Sequence, residues 1–257
     1  MTNNFQKFKE LHAQSEPLLI GNVWNVQSAR KMENLGFKAI GTSSYAIAET
    51  LGYADGEEMS FEEYLFIIKR IAATATVPLS VDLEWGYGTT TAEIVANIKE
   101  LHKIGVLGIN IEDSVVEQGV RTIVEAEIFA QKIKAVAEEL SKENIEVFIN
   151  LRSDVFLLGL SDALTQAQKR ISIYETTGVH GLFFPCVTKT EDIETLTKAT
   201  TLPINVMCMP DLPDFNLLQK AGVKRISMGN FLNNKIYQYL ESEVETVLKN
   251  QNFSSVF

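Results

Sequence analysis

Short runs of consecutive apolar residues, many of them β-branched, alternate along this chain with longer stretches whose apolar positions recur every three or four residues. Eight short runs stand out, at 18–22, 39–44, 78–84, 108–113, 147–152, 181–185, 202–208 and 225–229. Most are apolar on successive positions rather than on alternate ones. They read as strands buried on both faces, the habit of a parallel sheet covered by helices. Helical patterns fill the gaps at 28–35, 61–75, 91–104, 125–140, 162–177 and 214–221, and another follows at 231–248. In 61–75, for example, Leu65, Ile68, Ile71 and Ala72 fall on one helical face.

One punctuation mark recurs. Gly36-Phe37, Gly105-Val106, Gly178-Val179 and Gly222-Val223 each place a glycine after a helical pattern and an apolar residue before the next strand. A glycine there takes the left-handed conformation that closes a helix. Eight such βα units in about 230 residues predict an α/β fold, a (β/α)8 TIM-type barrel with an additional C-terminal helix. An open doubly wound sheet would use about five to seven strands, and no Gly-rich dinucleotide fingerprint follows any strand here. No Pro/Gly/Ser-rich linker divides the chain, so 1–257 reads as one barrel domain. The barrel occupies about 17–230, and a helix and tail at 231–257 are placed to pack on a neighbouring subunit.

Charge narrows the function. Thirty-three acidic against 23 basic residues leave a formal charge of −10, which opposes binding to nucleic acid. No apolar run approaches the ~18 residues of a membrane span. The opening Met1-Thr2-Asn3-Asn4-Phe5-Gln6-Lys7 has no secretory pattern. Cys186 and Cys208 are too few for a disulfide framework. Together these predict a cytoplasmic protein with small-molecule chemistry.

In a barrel of this type, chemistry belongs at the C-terminal ends of the strands. The third run ends in Asp82-Leu83-Glu84 and continues into Trp85-Gly86-Tyr87-Gly88; the fourth ends in Glu112-Asp113, and the fifth in Arg152-Ser153-Asp154. Asp82 and Glu84, two apart on an extended strand, would share a face, whereas only one of Glu112 and Asp113 can point inward. A lone strand-end acid is usually a helix cap or a surface residue. Several on adjacent strands would repel one another unless a cation or proton lay between them. Hard oxygen donors without neighbouring His or Cys favour Mg2+ or Mn2+. Arg152 offers either a partner for these acids or a fork for a carboxylate or phosphonate. His12, His102 and His180 fall outside this set and read as structural or surface residues. Cys186 and Cys208 read as small buried apolar side chains.

With these residues in place, the chain resembles the isocitrate lyase/phosphoenolpyruvate mutase superfamily across about 17–230. The likeness rests on Asn22-Val23-Trp24-Asn25, Gly41-Thr42-Ser43-Ser44, Leu51-Gly52-Tyr53-Ala54-Asp55-Gly56-Glu57, Val81-Asp82-Leu83-Glu84-Trp85-Gly86-Tyr87-Gly88, Ile111-Glu112-Asp113 and Ile149-Asn150-Leu151-Arg152-Ser153-Asp154. The resemblance implies a Mg2+-dependent (or Mn2+-dependent) lyase or mutase. Its substrate would be a small 2-oxo or 2-hydroxy carboxylate, oxaloacetate- or phosphonopyruvate-like, with a C–C or P–C bond broken or rearranged through a metal-stabilised enolate. It assigns Asp82 as the direct metal ligand, with Glu84 and Glu112 holding the metal largely through water. Asp55 becomes an acid near the substrate, Arg152 the substrate-binding arginine, and Ser43 and Ser44 the turn that receives the substrate's carboxylate. It also implies a homodimer or homotetramer built partly through the C-terminal helix.

The stretch Ser114-Val115-Val116-Glu117-Gln118-Gly119-Val120-Arg121 departs from the family. Lyases of the family carry a Lys-Lys-Cys-Gly-His-type motif in this loop, and mutase-like members a lysine and an asparagine. Here there is no cysteine, histidine, lysine or asparagine. Glu117 and Arg121 are the residues available to replace them, and the acid/base half of the mechanism is unassigned. Two alternatives follow: a catalytically idle barrel that binds an oxo acid, and a Schiff-base aldolase using Lys189 beyond the sixth strand.

Overall fold

The computed structural model describes residues 4–257; Met1, Thr2 and Asn3, the start of the stretch read for a leader, lie outside the described residues. The chain opens with α1 (Asn4–Leu11), then β1 (Leu18–Leu19), β2 (Gly21–Val23), α2 (Val26–Asn34), β3 (Ile40–Thr42), α3 (Ser44–Leu51) and α4 (Phe61–Ala72). It continues through β4 (Leu79–Asp82), α5 (Thr91–Lys103), β5 (Gly108–Glu112), β6 (Ser114–Glu117), β7 (Val120–Ile123), α6 (Ala126–Lys142) and β8 (Phe148–Arg152). Last come α7 (Ala163–Tyr174), β9 (Gly181–Phe184), α8 (Thr190–Lys198), β10 (Ile204–Met207), α9 (Phe215–Lys220), β11 (Arg225–Ser227) and α10 (Phe231–Asn250).

Nine of these strands form one parallel sheet in the order β1-β11-β10-β9-β8-β5-β4-β3-β2. Only Ile20 separates β1 from β2. The first half of that stave pairs with β11 (Leu18 beside Arg225) and the second with β3 (Gly21 beside Ile40), so the sheet closes on itself. The result is the (β/α)8 barrel that the eight apolar runs predict. All four punctuating glycines are left-handed, with φ of +85° at Gly36, +90° at Gly105, +84° at Gly178 and +88° at Gly222.

Between sheet and helices lies a continuous apolar core in which Val81, Ile109, Leu151, Leu182 and Val206 are fully or almost fully buried. The lumen is different. Asn110, Asn150 and Asn205 form an amide ladder across the barrel axis, Asn150 Nδ2 donating to Asn110 Oδ1 at 2.9 Å and to Asn205 Oδ1 at 3.1 Å. Buried amides are in most cases partnered in this way, and the ladder ties staves together beneath the rim.

Four features depart from the periodicity. Helices α1, α3 and α8 occupy segments that lacked a helical pattern of their own, and 114–123 folds as an antiparallel hairpin rather than a loop. α10 leaves the barrel: Asn233 is its one buried residue, while Ile236, Tyr239, Leu240 and Leu248 are 53–71% exposed. No helix among the described residues is long and apolar enough to cross a membrane.

Candidate active site

Parallel register builds the rim. It sets Asp82 beside Asn110 and Glu112 beside Arg152. The main chain of Asp82 is gripped on both sides, its N–H donating to Thr42 Oγ1 at 2.9 Å and its carbonyl accepting from Tyr64 OH at 2.7 Å. Its carboxylate accepts from Ser44 Oγ at 2.9 Å and from Asn110 Nδ2 at 3.2 Å.

Asp82 and Glu84 do not leave one continuous strand. β4 stops at Asp82, Gly86 N closes a turn onto Leu83 O at 2.8 Å, and Glu84 takes a left-handed backbone with φ of +50°. The buried carboxyl of Glu84 accepts from Tyr87 OH at 3.0 Å through Oε1, while Oε2 has no hydrogen-bond partner. Burial, reinforced by Asp55, Glu112 and Asp82, pushes Glu84 far above the usual carboxylate range.

Glu112 faces the site, and Asp113 faces the helices. Arg121 Nη1 contacts Glu112 Oε1, and Arg152 Nη1 lies 2.9 Å from Glu112 Oε2. Burial raises Glu112 against the pull of Arg152 and Arg121. Arg152 also forks onto Asp154, Nε to Oδ1 at 2.6 Å and Nη2 to Oδ2 at 3.1 Å. Burial opposes that guanidinium's charge, but Asp154, Glu112 and Asp82 prevail and hold it firmly protonated. Arg121 Nη2 reaches Asp55 Oδ2 at 2.6 Å, and burial raises the Asp55 carboxyl.

Ser43 caps α3, accepting from Ala46 N at 3.3 Å. The first N–H groups of a helix have no intrahelical acceptor, so the Ser43–Ser44 turn presents amide and hydroxyl donors beside Asp82. A carboxylate is the natural ligand for such a helix start.

Asp55, Asp82, Ser43, Ser44, Arg121 and Arg152 line a cavity of about 440 Å3, whereas Glu84 and Glu112 line an adjoining one of about 200 Å3. The proposed metal ligands are therefore neighbours across a guanidinium rather than in one open space. Arg121 lines the larger cavity and grips Glu112 of the smaller. A second cavity of about 440 Å3 opens elsewhere, around Phe5, Lys134 and His180, and contains none of the strand-end acids or arginines. Charge, not size, distinguishes the site.

Three residues at this site were missed as functional candidates. Asp154 was visible only as a strand-end acid, and Asn110 looked like one polar interruption in a strand. Arg225 begins β11 in the lumen, 2% exposed, and no carboxylate lies within ion-pair distance of it among the described residues. Its Nη2 lies 3.3 Å from Asn110 Oδ1 and 3.4 Å from Ser80 Oγ, and its Nη1 lies 3.5 Å from His12 Nε2. Burial pulls its pKa down to about 10.

His12 has a structural setting. Its Nδ1–H donates to Phe8 O at 2.9 Å, its ring stacks on Phe148, and burial with Arg225 lowers its pKa to about 3. Cys186 is half-buried and Cys208 is exposed, so the latter is not the small core residue expected from its apolar surroundings. Lys189 is exposed ahead of α8 and outside the cavity lining, which leaves the Schiff-base reading without a nucleophile at the site.

Comparison with known proteins points the same way. A family model described as phosphoenolpyruvate phosphomutase matches residues 8–248. An oxaloacetate decarboxylase of Bradyrhizobium sp. (strain BTAi1) is 30% identical over 217 residues, covering 82% of this chain and 73% of that protein. A crystal structure from Burkholderia cenocepacia J2315, provisionally described as a phosphonomutase, superposes with a TM-score of 0.88 at 31% identity, covering 95% of this chain and 100% of that one. A phosphonopyruvate hydrolase crystallised with oxalate and Mg2+ has a TM-score of 0.86 at 18% identity, covering 99% of this chain and 90% of that one. That last likeness is one of fold alone.

Proposed function

The chain belongs to the phosphoenolpyruvate phosphomutase family, within the isocitrate lyase/phosphoenolpyruvate mutase superfamily, and on that premise we propose a divalent-cation-dependent enzyme acting on an oxaloacetate- or phosphonopyruvate-like 2-oxo acid. It would break or rearrange a C–C or P–C bond. The supporting relatives are an oxaloacetate decarboxylase and a phosphonomutase-like protein, and the more distant phosphonopyruvate hydrolase holds Mg2+ and oxalate.

One observation carries the cation reading. Among the described residues, Arg121 and Arg152 pair with Asp55, Glu112 and Asp154, while Asp82 and Glu84 have no ion-pair partner. Glu84 Oε2 is buried with no donor. A surplus of buried carboxylate with an orphaned oxygen calls for a proton or a cation. No three Asp, Glu, His or Cys side chains among the described residues form a ready cage. The donor set suits a hard, hydrated ion with few direct protein ligands. Asp82 would hold Mg2+ or Mn2+ directly, with Glu84 and Glu112 acting through water. Such an ion supplies positive charge that draws electron density from a 2-oxo group.

The chain's own residues do the rest. Ser43, Ser44 and the start of α3 receive the substrate's carboxylate. Arg152, fixed by its fork to Asp154, orients the anion, and Asp55 is an acid near the substrate. The hairpin contributes Arg121 in place of a cysteine, histidine or lysine. α10, with its exposed apolar side chains, is the subunit contact of a homodimer or homotetramer; light scattering at micromolar concentration should give that mass, and a monomer would refute it.

The test is a turnover screen with Mg2+ over oxaloacetate, phosphonopyruvate, methylisocitrate and dimethylmalate. At least one should be consumed, and D82A should lower that rate at least about 100-fold, the loss of ~3 kcal/mol of transition-state stabilisation. Oxalate binding without turnover of any of them would favour the idle oxo-acid-binding barrel.

A further inference from the structure

Arg121 is the one cation of this site carried by a hairpin instead of a barrel strand. Its strand, β7, pairs with β6 through Val116 beside Arg121. The hairpin sits tightly on the turn after Asp55: a Cβ at Gly56, where φ is +105°, would lie 2.5 Å from Val116 Cβ. From there the guanidinium spans three acids. Nη2 donates to Asp55 Oδ2 at 2.6 Å, and Nη1 contacts Glu112 Oε1 and lies 3.3 Å from Asp154 Oδ2. Ser114 Oγ, 2.8 Å from Nη1 and 2.6 Å from Asp154 Oδ2, completes the socket.

One of those acids, Glu112, is also an acid that a divalent ion at Asp82 would hold through water, and a second, Asp55, lines the same cavity as Asp82. A carboxylate oxygen engaged by a guanidinium is not free to bind an ion or its water, and two cations drawn to one set of acids repel each other. We propose that Arg121 is a built-in counter-ion that a divalent cation must displace from Asp55 and Glu112 in order to bind. The proposal rests on the cation reading above and adds to it a competitor from within the chain. It also accounts for a half-buried arginine on a segment lacking the reactive side chains of the family's lyases: Arg121 neutralises the acids while no ion is present.

The test is calorimetric titration of Mn2+ alone into the full-length protein and into R121Q and R121K, with thermal melts of each with and without Mn2+. R121Q should bind Mn2+ at least about fivefold more tightly than the wild type, the lower end of ordinary coupling between sites. It should also melt lower without metal and recover when Mn2+ is added. R121K keeps the charge without the fork and should fall between the two, and it serves if R121Q does not fold. Equal or weaker Mn2+ binding by the variants overturns this inference alone. Binding by R121Q with none by the wild type supports it strongly, whereas no binding by either overturns both this inference and the cation reading.

Discussion

Glu112 and Asp113 are consecutive, both almost fully buried and both bonded to arginine, yet they belong to opposite kinds of network. Asp113 is saturated. Its Oδ2 accepts from Arg170 Nη1 at 2.9 Å and Tyr174 OH at 2.8 Å, its Oδ1 accepts from Asp154 N at 3.0 Å, and Arg170 Nη2 donates to Val124 O at 2.9 Å. One carboxylate meets one guanidinium, and the pair locks α7 to the end of β5. On the other side of the same strand, Glu112 shares two guanidinia with Asp55 and Asp154, next to a Glu84 that has no ion-pair partner among the described residues. Burial and an arginine partner do not by themselves mark a functional acid. What separates the pair is the charge balance: closed around Asp113, open around Glu112.

Mutating each member should expose that difference. The largest effect is expected at the closed pair, where D113A leaves Arg170 buried without its counter-ion. Such losses run to about 3–5 kcal/mol, and urea unfolding should show a midpoint far below that of the wild type. E112Q should behave differently. It removes one surplus negative charge while Arg121 and Arg152 keep Asp55 and Asp154, so stability should change by no more than about 1 kcal/mol, while turnover of the substrate found in the screen should fall at least tenfold. If E112Q unfolds the protein as D113A does, Glu112 is a structural acid and the contrast fails.

Most of the barrel could be read along the chain because its strands are buried on both faces. Gly108–Glu112 and Phe148–Arg152, for example, lie within the runs read at 108–113 and 147–152. The left-handed glycines at 36, 105, 178 and 222 were equally legible, since few other residues fit a helix-closing turn. The rim was readable at Asp82 and Arg152, which end regular strands. It was not readable at Glu84, because period-two reasoning holds only while the backbone stays extended. The hairpin did carry a signal: Gln118-Gly119, both at positive φ, lies between two short β-branched runs, the pattern of a tight two-residue turn. Taken as a hairpin, it would have returned Arg121 toward Glu112. Arg225 and the asparagine ladder left no such trace, because a polar residue at a strand interior looks the same in sequence whether it faces the lumen or the helices. α3 and α8 are short, and tertiary contacts supply what their sequence pattern lacks.

A divalent ion held at Asp82 would close the open charge balance at the rim. Titrating Mn2+ into wild-type protein and D82A, with no substrate present, asks that directly. The wild type should take up one ion per chain saturably, and a D82A protein that still shows the wild-type unfolding transition should not. No uptake by the wild type or by R121Q, or undiminished uptake by folded D82A, would contradict an ion held at Asp82.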